Sequence, residues 1–248
     1  MNNFQSTSFQ GNLEYRFSKF LKFNLIGSYG LEEGQGYDHQ NKLVPLGRGT
    51  GFRNNYALNF KTTITPSSKT FLVVNLANRY NEQKNHLYDD PWDPRYFNFD
   101  RVVEFYSPAE QSIPGAAQFS FYGTDNNRFF RSTDTFIGKA EISSQVNENH
   151  YVKAGINLQL DEVSFESVSL VPFTDPSISF PPGTPQELKP FVKLGFPELN
   201  TPGYQKYSES PRNLGAYIQD KIEFDNLIIN VGLRFDYFDP NSRVVADL

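Results

Sequence analysis

His150-Tyr151-Val152-Lys153-Ala154-Gly155-Ile156-Asn157-Leu158-Gln159-Leu160-Asp161-Glu162 is the stretch whose reading decides the fold. Val152, Ala154, Ile156, Leu158 and Leu160 take every second position, with Lys153, Asn157, Gln159 and Asp161 between them. Successive side chains of a strand point to opposite faces, so a period of two predicts a strand with one oily and one polar face. Upstream, residues 135–146 set Phe136, Ala140 and Ile142 against Lys139, Glu141, Ser143 and Gln145. Val146-Asn147-Glu148-Asn149 between the two segments is made of residues that tolerate tight turns. Together they predict a hairpin.

Three more hairpins follow the same plan. Residues 9–17 carry Leu13, Tyr15 and Phe17 against Asn12, Glu14 and Arg16, and turn at Ser18-Lys19 into a strand bearing Leu21, Phe23, Leu25 and Tyr29. Residues 53–64 place Tyr56, Leu58, Phe60 and Ile64 opposite Asn55, Asn59 and Lys61. They turn through Pro66-Ser67-Ser68-Lys69 into residues 70–81, where Leu72, Val74 and Leu76 alternate less cleanly. Residues 213–224 turn at Asp225-Asn226 into residues 227–238, where Ile229, Val231, Leu233, Phe235 and Tyr237 oppose Asn230, Arg234 and Asp236.

The connections between hairpins are long: residues 33–52, 82–131 and 167–211. Compact soluble domains seldom hold structureless loops beyond about 12–15 residues, whereas outer-membrane barrels alternate short periplasmic turns with long extracellular loops. Several strands run to ten residues or more, against the usual five or six of soluble sheets, and a tilted strand needs about 9–11 residues to cross a bilayer. The expectation is an all-β chain: an antiparallel transmembrane β-barrel segment of about eight long strands in four hairpins, forming an open or incomplete barrel. A soluble β-sandwich binding module is the alternative that alternation by itself leaves open. Asp220 is the discordant position, because alternation places it in the column of Ile218 and Ile222. A bulge, a partner or a mirrored strand would each accommodate it.

Composition agrees with strands and excludes several functions. Aromatics make up 16% of the 248 residues, with 24 Phe and 14 Tyr, and mean hydropathy is −0.54, so spanning helices are not expected. Cysteine is absent, which removes thiolate metal sites and cysteine nucleophiles. A net charge of −5 gives no general affinity for nucleic acid. Residues 1–11 have no apolar core of a signal peptide. Loop lengths put both termini on the extracellular side, which predicts that residues 1–248 are an internal part of one barrel domain, without signal peptide or remaining strands. No cofactor is expected. The histidines, His39, His86 and His150, form no catalytic or metal-binding pattern, so the chain is not read as an enzyme.

The last forty residues carry a resemblance. Gly215-Ala216-Tyr217-Ile218-Gln219-Asp220-Lys221-Ile222-Glu223-Phe224, followed by Leu227 to Pro240 with Gly232-Leu233-Arg234-Phe235-Asp236, resembles a barrel hairpin of TonB-dependent outer-membrane transporters. The similarity is strongest to the Bacteroidota-like receptors with an N-terminal carboxypeptidase-regulatory-like domain. It implies a 22-stranded barrel around a plug domain, and energy-coupled import of a scarce, bulky nutrient. The implied partners are outer-membrane lipid, the plug domain of the parent chain, through it the TonB energy-coupling complex, and a surface lipoprotein. An outer-membrane adhesin or structural barrel is the alternative function.

The candidate sites follow from position. Tyr88, Asp89, Asp90, Trp92, Asp93, Arg95 and Tyr96 concentrate rings and carboxylates in the 82–131 loop, which holds twelve aromatics. These rings suit packing of the loop into its own small core over the barrel mouth, or contact with a ligand; three carboxylates would also suit a hard cation, but no metal site is assigned. Glu14, Arg16, Lys139, Glu141, Lys153, Asp161, Lys221, Glu223, Arg234 and Asp236 form the polar set expected to face the lumen, pair with one another and meet a plug; lining a substrate path is the alternative, although their mixed charge argues against an ion-selective ring. Gly47-Arg48-Gly49-Thr50-Gly51 lacks the strand–helix setting of a phosphate loop and reads as flexible surface loop. Residues 172–211 hold nine prolines, which limits strand pairing, with one helical turn expected at Thr184-Pro185-Gln186-Glu187.

Overall fold

The computed structural model describes residues 3–37, 45–96, 124–173 and 193–242. Its strands are β1 (Asn3–Ser18), β2 (Leu21–Gln35), β3 (Thr50–Ser67), β4 (Thr70–His86), β5 (Asn127–Gln145), β6 (His150–Ser169), β7 (Val171–Phe173), β8 (Lys193–Gly195), β9 (Tyr204–Glu209), β10 (Arg212–Phe224) and β11 (Leu227–Asp239). One antiparallel sheet runs in the order β1-β2-β3-β4-β5-β6-β10-β11, with β9 also paired to β6. β7 and β8 make a small ribbon of their own. β1 and β11 are the two edges and do not pair, so the sheet is open. No helix among the described residues is long and apolar enough to cross a membrane.

The four hairpins close where the turn chemistry predicts. Ser18 Oγ accepts from the Phe20 N–H at 3.1 Å, and Ser67 Oγ from Lys69 N–H at 3.2 Å. Asn147 Oδ1 takes the N–H groups of both Asn149 and His150 at 2.9 Å. Each of these side chains satisfies backbone donors that the turn leaves outside the ladder.

Register then carries the alternation across the sheet. One row reads Leu13, Leu25, Phe60, Leu76, Gly138, Leu158, Leu214, Tyr237 from β1 to β11. The neighbouring row on the other face reads Glu14, Asn24, Lys61, Asn75, Lys139, Asn157, Gly215, Asp236. Paired residues share a face, so one side is oily and the other polar over its whole width. Along β11 the oily set runs from Leu227 to Tyr237. Ten steps of about 3.4 Å at a tilt of about 45° span about 24 Å, matching the roughly 25 Å apolar band of outer-membrane barrels.

Among the described residues no second layer covers the oily columns, apart from a small loop core at their long-connection end. Leu233 is 79% exposed and Phe235 62%, and among the described residues the buried hydrophobics are Ala77, Tyr96, Val168, Leu170 and Leu194. A sandwich would bury one face under a second sheet; no such layer is present among the described residues.

Three expectations need correction. The strands continue beyond the limits read from alternation: β1 begins at Asn3 rather than residue 9, and β4 reaches His86. The connections shrink to 36–49, 87–126 and 170–203 accordingly. Next, the proline-rich stretch does contribute strand, because β9 extends the ladder of β10 along β6 after a break at Ser210-Pro211. Proline has no N–H to give, but the Pro211 carbonyl still accepts from Asp161 N at 3.0 Å. Finally, Thr50 and Gly51 belong to β3, not to a flexible loop. His39, Thr184 to Glu187 and the tail Val244 to Leu248 lie outside the described residues.

Asp220 does lie in the column of Ile218 and Ile222, with unbroken register to β6 and β11. It has a partner there: His150 Nδ1 stands 2.6 Å from Asp220 Oδ2.

Candidate functional site

Period-two backbone geometry places all ten residues of the expected polar set on one face. Three pairs form inside the set. Lys153 Nζ meets Glu141 Oε1 at 3.0 Å, and Lys221 meets Glu223. Arg234 and Asp236 form a bidentate pair, Nε to Oδ2 at 2.7 Å and Nη2 to Oδ1 at 2.6 Å. Glu14 pairs instead with Lys22 at 2.7 Å, a residue outside the set but directly opposite Arg16. Asp161 accepts from Thr135 Oγ1 at 2.5 Å and Gln159 Nε2 at 2.9 Å. Arg16 and Lys139 make no ion pair among the described residues. Mixed charge, mutually paired, makes this face a hydrogen-bonding wall rather than an ion-selective ring.

Tyr217 is the member that sequence reasoning missed. Its hydroxyl donates to Glu141 Oε2, two strands away, with its ring lying across Gly155. A Cβ at Gly155 would stand 2.7 Å from that ring. Beside it a recess of about 570 Å³ is lined on the polar face by Lys153, Tyr217, Gln219, Asn230 and Arg234. A tyrosine in line with Gln219 and Lys221 on β10 was the available signal, but linking it to Glu141 needs the register of three strands.

The loop residues gather at the opposite end from the short turns. Tyr96 is buried with Val168, Leu170 and Leu194, and Leu87, Tyr88, Phe196 and Tyr204 pack around them. The Tyr88 and Tyr96 rings meet edge-on at 4.9 Å, and Arg95 stacks over Tyr88 at 4.1 Å. Arg128 from β5 clamps the segment: it donates to the Tyr88 carbonyl, to the Tyr96 hydroxyl at 2.9 Å and to the Asp89 carbonyl at 2.8 Å. The rings therefore form a small core. Val168 and Arg128 lie on the face of the oily columns, so that core leans on the outer end of this face rather than across the polar one.

The three carboxylates diverge. Asp93 holds Arg95 at 2.6 Å, and the guanidinium and backbone N–H of Arg95 keep its carboxyl below the usual range. Asp90 Oδ1 accepts from Trp92 N–H at 2.8 Å, and Asp89 reaches toward His86 Nε2 at 3.4 Å. Trp92 is half exposed and touches Phe196 edge-on at 5.6 Å. Tyr88 and Tyr96 pack together while the carboxylates between them point apart, and Arg128, Val168, Leu194 and Tyr204, which hold the two rings, were outside the reach of the sequence.

An open antiparallel sheet of long two-faced strands, with tight turns at one end and long connections at the other, defines the wall of a β-barrel. The chain belongs to the TonB dependent receptor-like, beta-barrel family, whose model matches residues 1–246. No curated protein matches it in sequence. Among solved structures it is similar to the ferric-catecholate import receptor Fiu from E. coli K12 in its open form, at 11% identity and a TM-score of 0.48 over 95% of this chain. It is also similar to the RagAB peptide importer in its "closed-closed" state, at 14% identity and a TM-score of 0.46 over 96% of this chain. The chain spans 35% of the first of these chains and 28% of the second.

Proposed function

We propose that this chain forms part of the wall of an outer-membrane TonB-dependent importer, in which the oily face meets lipid and the polar face lines the lumen. The observation that carries this reading is the pair of unbroken rows, oily and polar, running through every strand from β1 to β11. Every backbone group must be paired inside a bilayer, and strands achieve that only in a closed barrel, so residues 1–248 are one part of a larger barrel domain. Family membership supports a plug domain in the lumen and, through it, energy transfer from the TonB complex. The polar set from Glu14 to Asp236 then meets the plug. The Tyr88–Tyr96 cluster stands at the cell surface, where Trp92 offers an exposed ring to cargo or to a surface lipoprotein. The cargo is a scarce, bulky nutrient, and the Tyr217-bearing hairpin supports a Bacteroidota-like receptor with a carboxypeptidase-regulatory-like domain.

Two measurements test this. The sequence contains no cysteine, so single cysteines in the full-length receptor report without background. A water-soluble maleimide labels Asn230→Cys and spares Leu233→Cys if the faces are assigned correctly; the reverse pattern refutes the assignment. Uptake of the nutrient on which receptor-deleted cells fail to grow must stop when the proton-motive force is collapsed.

A further inference from the structure

Charge on the polar face is mixed as a whole but not evenly spread. On β3, β4 and β5 that face carries Arg53, Lys61, Arg79, Arg131 and Lys139, all exposed, with Glu141 as its one carboxylate. Glu141 is already engaged by Lys153 and Tyr217. Arg53 has a loose partner in Glu32 of β2, at 3.4 Å. Arg131 donates to the neutral Gln83 at 3.1 Å. Lys61, Arg79, Arg131 and Lys139 make no ion pair among the described residues. On β6, β9, β10 and β11 the same face sets Asp161, Glu209, Glu223 and Asp236 against Lys153, Lys221 and Arg234. In a chain of net charge −5, three adjacent strands thus hold a stripe of positive charge.

The stripe has a defined height. Tyr29, Tyr56 and Tyr80 pair across the oily face of β2 to β4, and barrels gather rings where they leave the hydrocarbon. Arg79 adjoins Tyr80, level with these rings. Arg53 and Arg131 share a row three residues farther out, about 7 Å higher at 3.4 Å per step and a tilt of about 45°. Lys61 and Lys139 share a row five residues below Tyr56, about 12 Å deeper by the same measure. Asn55, Asn81 and Gln83 stand between the arginines and add amide donors. Past Arg131 the outer row continues into Phe165 and Tyr207, whose rings stack at 5.0 Å with Tyr207 half exposed. Guanidinium forks match carboxylate, phosphate and sulfate oxygens, and a wall of one sign concentrates solutes of the other.

We propose that this stripe receives an anionic cargo, with carboxylate, phosphate or sulfate groups on Arg79 and Arg131 and a ring of the same molecule on Tyr207. The inference rests on the luminal assignment of the polar face, and its test separates the two. Asn81→Cys, between Arg79 and Gln83 on β4, is placed in the full-length receptor. Its reaction rates with an anionic methanethiosulfonate (the sulfonatoethyl reagent) and a cationic one (the trimethylammonium reagent) are each divided by the rate on free cysteine. The anionic reagent is expected to gain at least about fivefold over the cationic one at low salt. The gain disappears with Arg79→Gln plus Arg131→Gln, and in salt of about 1 M. In cells, the same two substitutions raise the KM for uptake of the nutrient on which receptor-deleted cells fail to grow by about tenfold, with the maximal rate within about twofold. Tyr207→Ala also raises that KM, whereas Tyr207→Phe, which keeps the ring, does not. Equal gain for both reagents overturns the stripe. A gain for the anionic reagent with KM unchanged gives the charge to the plug and overturns the cargo site. No reaction at Asn81→Cys, with reaction at Leu233→Cys instead, overturns the luminal assignment and the site with it.

Discussion

His150 Nδ1 and Asp220 Oδ2 meet at 2.6 Å on the oily face of the sheet, in neighbouring rows of β6 and β10. An ionisable group on a lipid-facing column is costly in proportion to its depth, and a partner on the adjacent strand offsets that cost. Thr70 and Ser144, whose hydroxyls lie 2.8 Å apart, share the row of Asp220. The oily band thus has a local polar notch toward its short-turn end.

His150→Leu leaves Asp220 without its partner and is expected to destabilise the full-length receptor by about 1–3 kcal/mol. Replacing both residues by leucine removes the polar pair altogether and returns stability to within about 1 kcal/mol of the parent. Urea unfolding of receptor refolded in liposomes reads both values. Equal stability of His150→Leu and parent would show that the pair offsets nothing.

The eight long ribbons were legible wherever oily and polar residues alternate between the two faces, as at Val152 to Asp161. They became illegible where both faces are polar. Glu32-Glu33, Asn54-Asn55 and Asn81-Glu82 are polar on both sides of the sheet, so the ladder continues while the period vanishes. Pro211 hid β9 in the same way, because its missing N–H reads as the end of a strand although the register on β6 resumes beyond it. The polar set was found by face alone. Its pairings were not, since joining Glu14 to Lys22 or Tyr217 to Glu141 depends on register between strands. The Tyr96 core is further still from view, drawing its residues from segments separated by more than a hundred positions, Leu87 to Tyr204.

Charge on the two faces should have unequal consequences. Leu233 sits within the oily band and Asn230 on the polar face of the same strand, opposite Lys221. Leu233→Arg is expected to cost about 2–4 kcal/mol and Asn230→Arg under about 1 kcal/mol. The folded fraction in heat-modifiable gel migration ranks the two variants. A barrel that tolerates Leu233→Arg as well as Asn230→Arg would not have lipid on that face.

Tyr96→Ala empties the centre of the surface core and removes the ring and hydroxyl that Arg128 and Tyr88 engage. The loss is local, because the core touches the sheet only at its outer end. Protease treatment of intact cells should cut the 87–96 segment at least several-fold faster in the variant, while urea stability of the barrel is unchanged. A fall in barrel stability of more than about 1 kcal/mol would mean that the core braces the wall itself.

Gly155 and Tyr217 are coupled through Glu141. The Tyr217 ring reaches Glu141 only by lying over Gly155, where an added Cβ would stand 2.7 Å from Cε1 and 2.8 Å from the hydroxyl oxygen. Gly155→Ala therefore lifts the ring and breaks the bond to Glu141, at about 1–2 kcal/mol. Tyr217→Phe loses the same bond directly, at a similar cost, while Lys153 still holds the Glu141 carboxylate. Because both changes remove one interaction, the second costs little once the first is made. The double variant should fall short of the sum of the singles by at least about 0.5 kcal/mol. Simple additivity, measured by the same urea titration, would place the tyrosine elsewhere and separate β10 from the charge network of β5 and β6.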